Sequence, residues 1–179
     1  MTTHIALLRG INVGKAKRIA MADLRALVAG LGHGKVRTLL NSGNVVFDAA
    51  HSGTVKLARE IEAAIAERFG FAVSVVVISA ADFAAVVDEN PLRGIITNPS
   101  RFLVAFTARP ATLAKAAALN QQTWATDQLA IGPRAAYLWC GVGILESRLA
   151  AAFTRATGDA ATMRNWSTVM KLHAMVAEG

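Results

Sequence analysis

The chain has 179 residues, a net charge of +7 at pH 7 and 54% hydrophobic residues. This length allows one large domain or two small ones with a real core, and the apolar content excludes a disordered chain. The lone Cys140 excludes an internal disulfide, and no apolar run approaches the roughly 18 to 20 residues that span a bilayer. The N-terminus also lacks a basic region before its short apolar stretch. We therefore expect a cytoplasmic protein with no membrane contact and no cofactor.

The predicted elements of residues 1–79 alternate in the order strand, helix, strand, strand, helix, strand. Strands are expected at residues 3–9, 36–40, 45–47 and 73–78, where β-branched and apolar residues concentrate. The two helices are indicated by apolar residues at three- and four-residue spacing: Leu24, Leu27, Val28 and Leu31 in the first, and Leu57, Ile61, Ile65 and Phe69 in the second. This order is the split β-α-β arrangement called ferredoxin-like.

Residues 80–100 are predicted to connect two halves of the chain, through a short helix that ends at Asn90-Pro91. Residues 101–179 repeat the first order more loosely. Strands are expected at 102–107, 125–131, 135–140 and 160–164, with helices at 110–119, from about Leu145 to Gly158, and at the C-terminus. The fold class is therefore α+β, with two tandem ferredoxin-like units, 1–79 and 101–179, and an additional C-terminal helix.

The positive charge is concentrated in the first part of the chain. Residues 1–50 carry seven basic and two acidic side chains, whereas residues 51–100 carry four basic and six acidic ones. Such a basic block attracts polyanions, nucleic acid first among them, and also nucleotides and acidic protein surfaces. A high net charge also keeps a protein soluble, so charge alone leaves a role in binding open.

A glycine-rich basic loop, residues 9–18, follows the first predicted strand. Its sequence RGINVGKAKR resembles the phosphate-binding loop G-x-x-x-x-G-K-[ST], but three residues separate its glycines and Ala16 replaces the magnesium-binding hydroxyl. The pattern therefore argues against a nucleotide-hydrolysing loop. Two interpretations stay open: a looser anion cradle of backbone N–H groups and basic side chains, or a solvated basic loop.

Two further polar stretches offer groups to a ligand, and each also has a purely structural explanation. Residues 41–44, Asn-Ser-Gly-Asn, have the composition of a tight turn, although amide side chains both donate to and accept from ligands. Arg164, Asn165 and Trp166 precede the last predicted helix, where a helix N-terminus, a guanidinium and an indole suit a phosphate or a stacked base. Alternatively, Trp166 packs in the core, Asn165 caps the helix and Arg164 is solvated.

Catalytic groupings of familiar type are missing from the sequence. Histidines occur at 4, 33, 51 and 173 without metal-ligand spacing, and one cysteine cannot complete a usual zinc site with them. No nucleophile elbow or serine-histidine-aspartate pattern is present, and Cys140 beside Trp139 is typical of a buried residue. We predict no metal site and assign no catalytic residue, so whether the protein is an enzyme stays open.

Four stretches together resemble the DUF1697 family, a bacterial group of uncharacterised proteins: ALLRGINVGKAKRIAMADLRALVAGLG, VRTLLNSGNVVF, ENPL and RNWSTVMKL. The resemblance runs from about His4 to the last helix and implies a cytoplasmic α+β protein of two ferredoxin-like units, with no activity assigned. Lys15 departs from the family pattern, which has a second glycine there, and so adds charge to the loop. The stretch from Ile144 to Arg148 departs from a basic-serine pattern, which argues against a role for that helix start in binding anions.

We predict from these observations an anion- or ligand-binding site that draws on all three polar stretches. Its residues are Arg9, Gly10, Asn12, Gly14, Lys15, Lys17, Asn41, Ser42, Gly43, Asn44, Arg164, Asn165 and Trp166. The favoured function is an anion-binding module for RNA, other nucleic acid or another polyanion that uses the basic loop. The alternatives are an enzyme or binder of a small phosphorylated or carboxylated metabolite in a cleft between the two units, and a structural or partner-binding protein.

Overall fold

The computed structural model describes residues 1–51 and 53–179 and has two four-stranded antiparallel sheets. The strand orders are β2-β3-β1-β4 and β6-β7-β5-β8, so the second sheet repeats the topology of the first. With two helices packed on one face of each sheet, this is the ferredoxin-like arrangement. The predicted fold class, α+β with two tandem ferredoxin-like units, is confirmed.

The first sheet and its helices follow the predicted order closely. The strands are β1 (Thr2–Leu8), β2 (Gly34–Leu39), β3 (Asn44–Ala49) and β4 (Val75–Ser79), and the helices are α1 (Met21–Gly30), α2 (Thr54–Phe69) and α3 (Ala80–Asp88). Strand β1 is central and pairs with β3 on one side and β4 on the other. Its side chains from His4 to Leu8 are all buried, as expected for a central strand.

One core of the first unit lies between this sheet and its two helices. Leu8, Phe47 and Val77 project from the sheet towards the apolar stripes of α1 and α2. Leu24 and Ile61, which lie on those stripes, are fully buried. The helical spacing of the apolar residues therefore sets which face of each helix packs against the sheet.

The second sheet contains β5 (Phe102–Thr107), β6 (Gln128–Ile131), β7 (Ala135–Trp139) and β8 (Ala161–Asn165), and the remaining helices are α4 (Pro110–Ala116), α5 (Arg148–Thr157) and α6 (Trp166–Ala177). Leu103, Leu138 and Phe153 belong to its core. Helix α5 begins three residues later than predicted, because the Ser147 hydroxyl accepts a hydrogen bond from the Ala150 N–H and caps it. Leu145 therefore lies outside the helix and is 95% exposed.

The chain divides into two compact units, the first made of two separate segments and the second of one. The first consists of Met1–Phe83 with Ala174–Gly179, and the second of Ala84–His173. The predicted connection, residues 80–100, contains α3 and a short 3-10 turn at Arg93–Ile95, and a second 3-10 turn, Pro99–Arg101, spans its end. None of the helices formed by residues 1–51 and 53–179 is long and apolar enough to cross a membrane.

Candidate functional site

Asn12 fixes the shape of the basic loop. Its backbone has a φ of +56°, and its N–H donates to the Lys17 carbonyl at 3.1 Å. The side-chain Oδ1 accepts from the Ile19 N–H at 2.9 Å, while Nδ2 donates to the carbonyls of Ile19 and Asn41 at 2.9 and 2.7 Å. Both amide protons of Asn12 are thus used within the fold. Asn12 closes the loop on itself and attaches it to the turn at residues 41–44.

That turn approaches the end of β1 so closely that only glycine fits at one position. Gly43 has a φ of +86°, and a Cβ there would lie 2.7 Å from the Leu8 Cβ and 3.0 Å from the Ile11 Cδ1. Its carbonyl accepts from the Leu8 N–H at 2.8 Å. Buried Asn44 donates through Nδ2 to the Leu39 carbonyl and to Ser42 Oγ, at 2.9 and 3.0 Å. Gly43, Asn44 and Ser42 therefore build the turn.

A shallow cavity of about 430 Å³ lies beside these contacts, lined by Asn12, Arg18, Ile19, Ala20 and Asn41. Helix α1 starts directly after Ala20, whose methyl side chain makes no capping hydrogen bond. The N–H groups of the first helical turn have no intrahelical partner, and together they carry a partial positive charge. The uncapped N-terminus of α1, the Arg18 guanidinium and Asn41 thus lie around one cavity.

Three cations of the basic loop remain available to a ligand. Lys15, Lys17 and Arg18 are exposed, and among the described residues their side chains have no hydrogen-bond or ion-pair partner. Arg9 differs, since it is only partly exposed and has contacts within the protein. Gly10 and Gly14, both with positive φ, have open space around them. The loop is therefore a fixed backbone frame that presents a local cluster of unpaired positive charge.

The other cations of the first part of the chain are engaged within the first unit. Arg25 donates to Thr38 Oγ1 at 2.7 Å, and Arg37 donates to the Met175 carbonyl at 3.0 Å. Lys35 donates to the Gly179 carbonyl at 3.1 Å and lies 3.8 Å from the Asp48 carboxylate. The charge excess seen in the sequence thus separates into groups that hold the fold and groups that face solvent.

Arg164, Asn165 and Trp166 belong to the second unit, where Arg164 and Trp166 are buried. Arg164 Nη1 donates to Thr162 Oγ1 at 3.1 Å and to the Met163 carbonyl at 2.9 Å. Burial lowers the pKa of Arg164 to about 10. The guanidinium therefore stays protonated at neutral pH, and it is held inside the unit.

Asn165 and Trp166 also have clear roles in the second unit. Asn165 Oδ1 accepts from the Thr168 N–H at 2.9 Å and caps α6. The Trp166 ring packs edge-on against Phe102, with ring centres 5.6 Å apart, and the Arg93 guanidinium lies 6.0 Å from its centre. The structure thus joins Asn12 to Asn41 within the first unit, while a joint site with residues 164–166 stays a prediction.

The spacing of the histidines along the sequence did not predict that several of them lie near one another in the first unit. His4 and His33 lie on Phe47, with ring centres 5.8 and 4.9 Å away, and His51 is near enough to disfavour their protonation. Burial lowers the pKa of both His4 and His33. His4 is the direct partner of Phe47 in the β1–β3 pairing, so the strand register is the signal that would have found this group.

Cys140 and the possible metal ligands of the described residues were candidates for chemistry in the sequence, and the structure shows where they lie. Cys140 is buried, and burial raises the pKa of its thiol. No three or more His, Cys, Asp or Glu side chains among residues 1–51 and 53–179 are arranged to hold a metal ion.

The basic loop lies in the part of the chain that matches a known protein family. The family model described as "Protein of unknown function (DUF1697)" matches residues 1–137. The chain belongs to the DUF1697 family. The matched region contains the basic loop and the turn at residues 41–44, and it ends before Arg164.

One solved structure has the same fold over nearly the whole length of this DUF1697 protein. It is that of the conserved bacterial protein SP0830 from Streptococcus pneumoniae, which is 24% identical in sequence. The match covers 98% of each chain with a TM-score of 0.75. At this level of identity the similarity shows the fold. No curated protein matches the sequence.

Proposed function

We propose that this DUF1697 protein binds a phosphate-bearing polyanion, with single-stranded nucleic acid as the first candidate, through its basic loop. The observation that carries the proposal is the cluster of Lys15, Lys17 and Arg18, exposed and without partners in the described part of the chain. Three unpaired cations within four residues attract a chain of phosphates more strongly than the same charges spread over a surface.

The start of helix α1 adds to this attraction. An uncapped helix N-terminus stabilises a nearby anion by about 0.3–1 kcal/mol at an exposed site. Asp23 in the first turn opposes the effect, but its carboxylate lies 3.5 Å from the Arg68 guanidinium, which offsets part of its charge. A phosphate in the cavity lined by Arg18 and Ala20 would meet both the helix end and the guanidinium.

Recognition is expected to be of the phosphate backbone and to show little sequence preference. RNA-binding modules with ferredoxin-like sheets stack bases on exposed strand aromatics. Here Phe47 in the first sheet and Phe102, Phe106 and Tyr137 in the second are buried. The sheet faces therefore offer no stacking platform from these rings, and the loop supplies the binding energy.

Fluorescence anisotropy with a labelled single-stranded oligonucleotide of mixed sequence tests the proposal. The variant K15Q/K17Q/R18Q removes the three cations, and we expect it to weaken binding by more than about tenfold at low salt. The matched control is R59Q/K115Q/K171Q, which removes the same charge from exposed side chains on other elements. Wild-type affinity in the loop variant, or equal losses in both variants, would contradict a site in the loop.

A further inference from the structure

A groove in the second unit surrounds Trp124, outside the basic loop. Two cavities, of about 280 and 480 Å³, share Gln122, Trp124 and Arg148 in their walls. We call this pair of cavities the Trp124 groove. Sites for small ligands are clefts of roughly 300–1,000 Å³ that combine apolar or aromatic walls with a few polar groups. The Trp124 groove has this size and this mixture.

The indole of Trp124 is held in place before any ligand binds. Its Nε1–H donates to the Leu119 carbonyl at 2.8 Å, and its own carbonyl accepts from the Asp127 N–H at 2.9 Å. The next residue, Ala125, has a φ of +53°, an uncommon conformation for a residue with a Cβ. Because the indole N–H is already bonded and the ring is half-buried, what the ring offers to the cavities is its apolar surface.

Asp127, which lines the smaller cavity, fixes a second part of the wall. It is 9% exposed, and its two carboxylate oxygens accept from the Gly141 N–H at 2.8 Å and from the Ser147 hydroxyl at 2.7 Å. Ser147 in turn caps α5, so the carboxylate joins the segment after Trp124 to the start of that helix. The walls of the Trp124 groove are thus preorganised, which reduces the entropy that a ligand must overcome.

Charge is distributed unevenly along the Trp124 groove. Glu146 lines only the smaller cavity, Arg155 lines only the larger one, and Arg148 lines both. In the part of the chain that the structure describes, these three side chains are exposed and have no hydrogen-bond or ion-pair partner. Gly143, with a φ of +113°, lets Glu146 lie against the backbone, since a Cβ there would be 2.5 Å from its Oε2. One end of the Trp124 groove thus carries a hydrogen-bond acceptor, and the other carries positive charge.

We propose that the Trp124 groove binds a nucleotide, with the base on the Trp124 ring, the donor edge of the base at Glu146 and the phosphates at Arg148 and Arg155. Stacking on an aromatic ring suits any base. A carboxylate only accepts hydrogen bonds, so it favours a base with adjacent donors, and guanine offers two, N1–H and the N2 amino group. Arg148 and Arg155 lie two turns apart on one face of α5 and both line the larger cavity, so their long side chains can approach a phosphate chain from its two ends.

This site is separate from the polyanion site proposed for the basic loop, and neither proposal depends on the other. The variant K15Q/K17Q/R18Q should bind nucleotides like the wild type. The variant R148Q/R155Q should bind the oligonucleotide with unchanged affinity.

Isothermal titration calorimetry of the full chain with GMP, GDP, AMP, guanosine and inorganic pyrophosphate tests the Trp124 groove. We expect GDP and GMP to bind more tightly than AMP, and guanosine and pyrophosphate to bind at least about tenfold more weakly than GDP, because each lacks one half of the interaction. R148Q/R155Q should weaken GDP binding about tenfold or more, whereas R109Q/K115Q, an exposed pair outside the Trp124 groove, should not.

Three further variants separate recognition from folding. W124L should weaken GDP binding about tenfold and W124F should restore most of it, because phenylalanine retains a stacking face. E146Q should reduce the preference for GMP over AMP. No nucleotide binding at millimolar concentration, unchanged GDP binding by folded R148Q/R155Q, or adenine and guanine nucleotides bound equally would overturn the proposal.

Discussion

The basic loop and residues 164–166 are both rich in polar side chains, yet the structure uses them in opposite ways. In the second unit Arg164 and Trp166 are buried and Asn165 caps α6. In the first unit Asn12 closes the loop, and Lys15, Lys17 and Arg18 face solvent. Stretches of similar composition thus differ in whether their polar groups are bonded within the fold or face solvent. Loss of a bonded group should cost stability, and loss of a solvent-facing one should cost binding.

The largest stability effect is expected at Arg164. R164A removes a buried guanidinium and leaves the Met163 carbonyl and Thr162 hydroxyl without this donor, which should destabilise the fold by about 3 kcal/mol. R18Q changes an exposed side chain and should alter stability by less than about 0.5 kcal/mol. Urea unfolding measures both values. Equal effects would remove the distinction between the two regions.

Glycines of the first unit provide a second contrast. G43A adds a Cβ at a φ of +86° and 2.7 Å from the Leu8 Cβ, and it should cost about 3 kcal/mol. G14A has a similar φ of +68° but open space, so only the backbone penalty of about 1 kcal/mol is expected. Thermal unfolding of the two variants isolates the close approach of the turn to β1. A G14A variant as unstable as G43A would show that backbone conformation alone explains the effect.

Asn12 and Asn41 should differ in a smaller way. N12A removes three side-chain hydrogen bonds and should cost about 2 kcal/mol, while also weakening oligonucleotide binding because the loop loses its fixed shape. N41A keeps the backbone carbonyl that Asn12 binds, so its stability should change by less than about 0.5 kcal/mol. Unfolding and anisotropy on both variants check this. Unchanged binding by N12A would mean that loop shape does not matter.

The histidine group predicts a modest pH dependence of stability. Burial lowers the pKa of His4 and His33 below the ordinary 6.5, so the unfolded chain binds protons more tightly than the folded one. Stability is therefore full above pH 6.5 and is lost as the pH falls through the lowered pKa values. Urea unfolding between about pH 7.5 and pH 5 should show this slope, and H4L/H33L should flatten it. A slope unchanged in H4L/H33L would assign it to other groups.

The sequence predicted the elements better than the fate of their polar groups. Apolar spacing located α2, and β-branched runs located β4, because burial of one helix or strand face is a local pattern. The predicted start of α5 is too early, because Leu145 fits the apolar stripe although the helix begins only after its cap, Ser147. Periodicity cannot tell a capping serine from an interior one.

Whether a charged side chain is free to bind a ligand depends on partners that are distant in sequence. Arg37 is engaged by the carbonyl of Met175, which is 138 residues away, whereas Arg18 has no such partner among the described residues. The Trp124 groove escaped prediction for the same reason, because Asp127 joins segments 14 and 20 residues apart through Gly141 and Ser147. Only the tertiary structure separates these cases.

The salt dependence of oligonucleotide binding measures how many phosphates the basic loop neutralises. Each phosphate neutralised on a single strand contributes about 0.7 to the slope of log affinity against log salt. If Lys15, Lys17 and Arg18 each contact one phosphate, K15Q/K17Q/R18Q should lower the wild-type slope by about 2, while R59Q/K115Q/K171Q should leave it unchanged. A loop variant with the wild-type slope would contradict the claim that the basic loop binds the phosphate backbone.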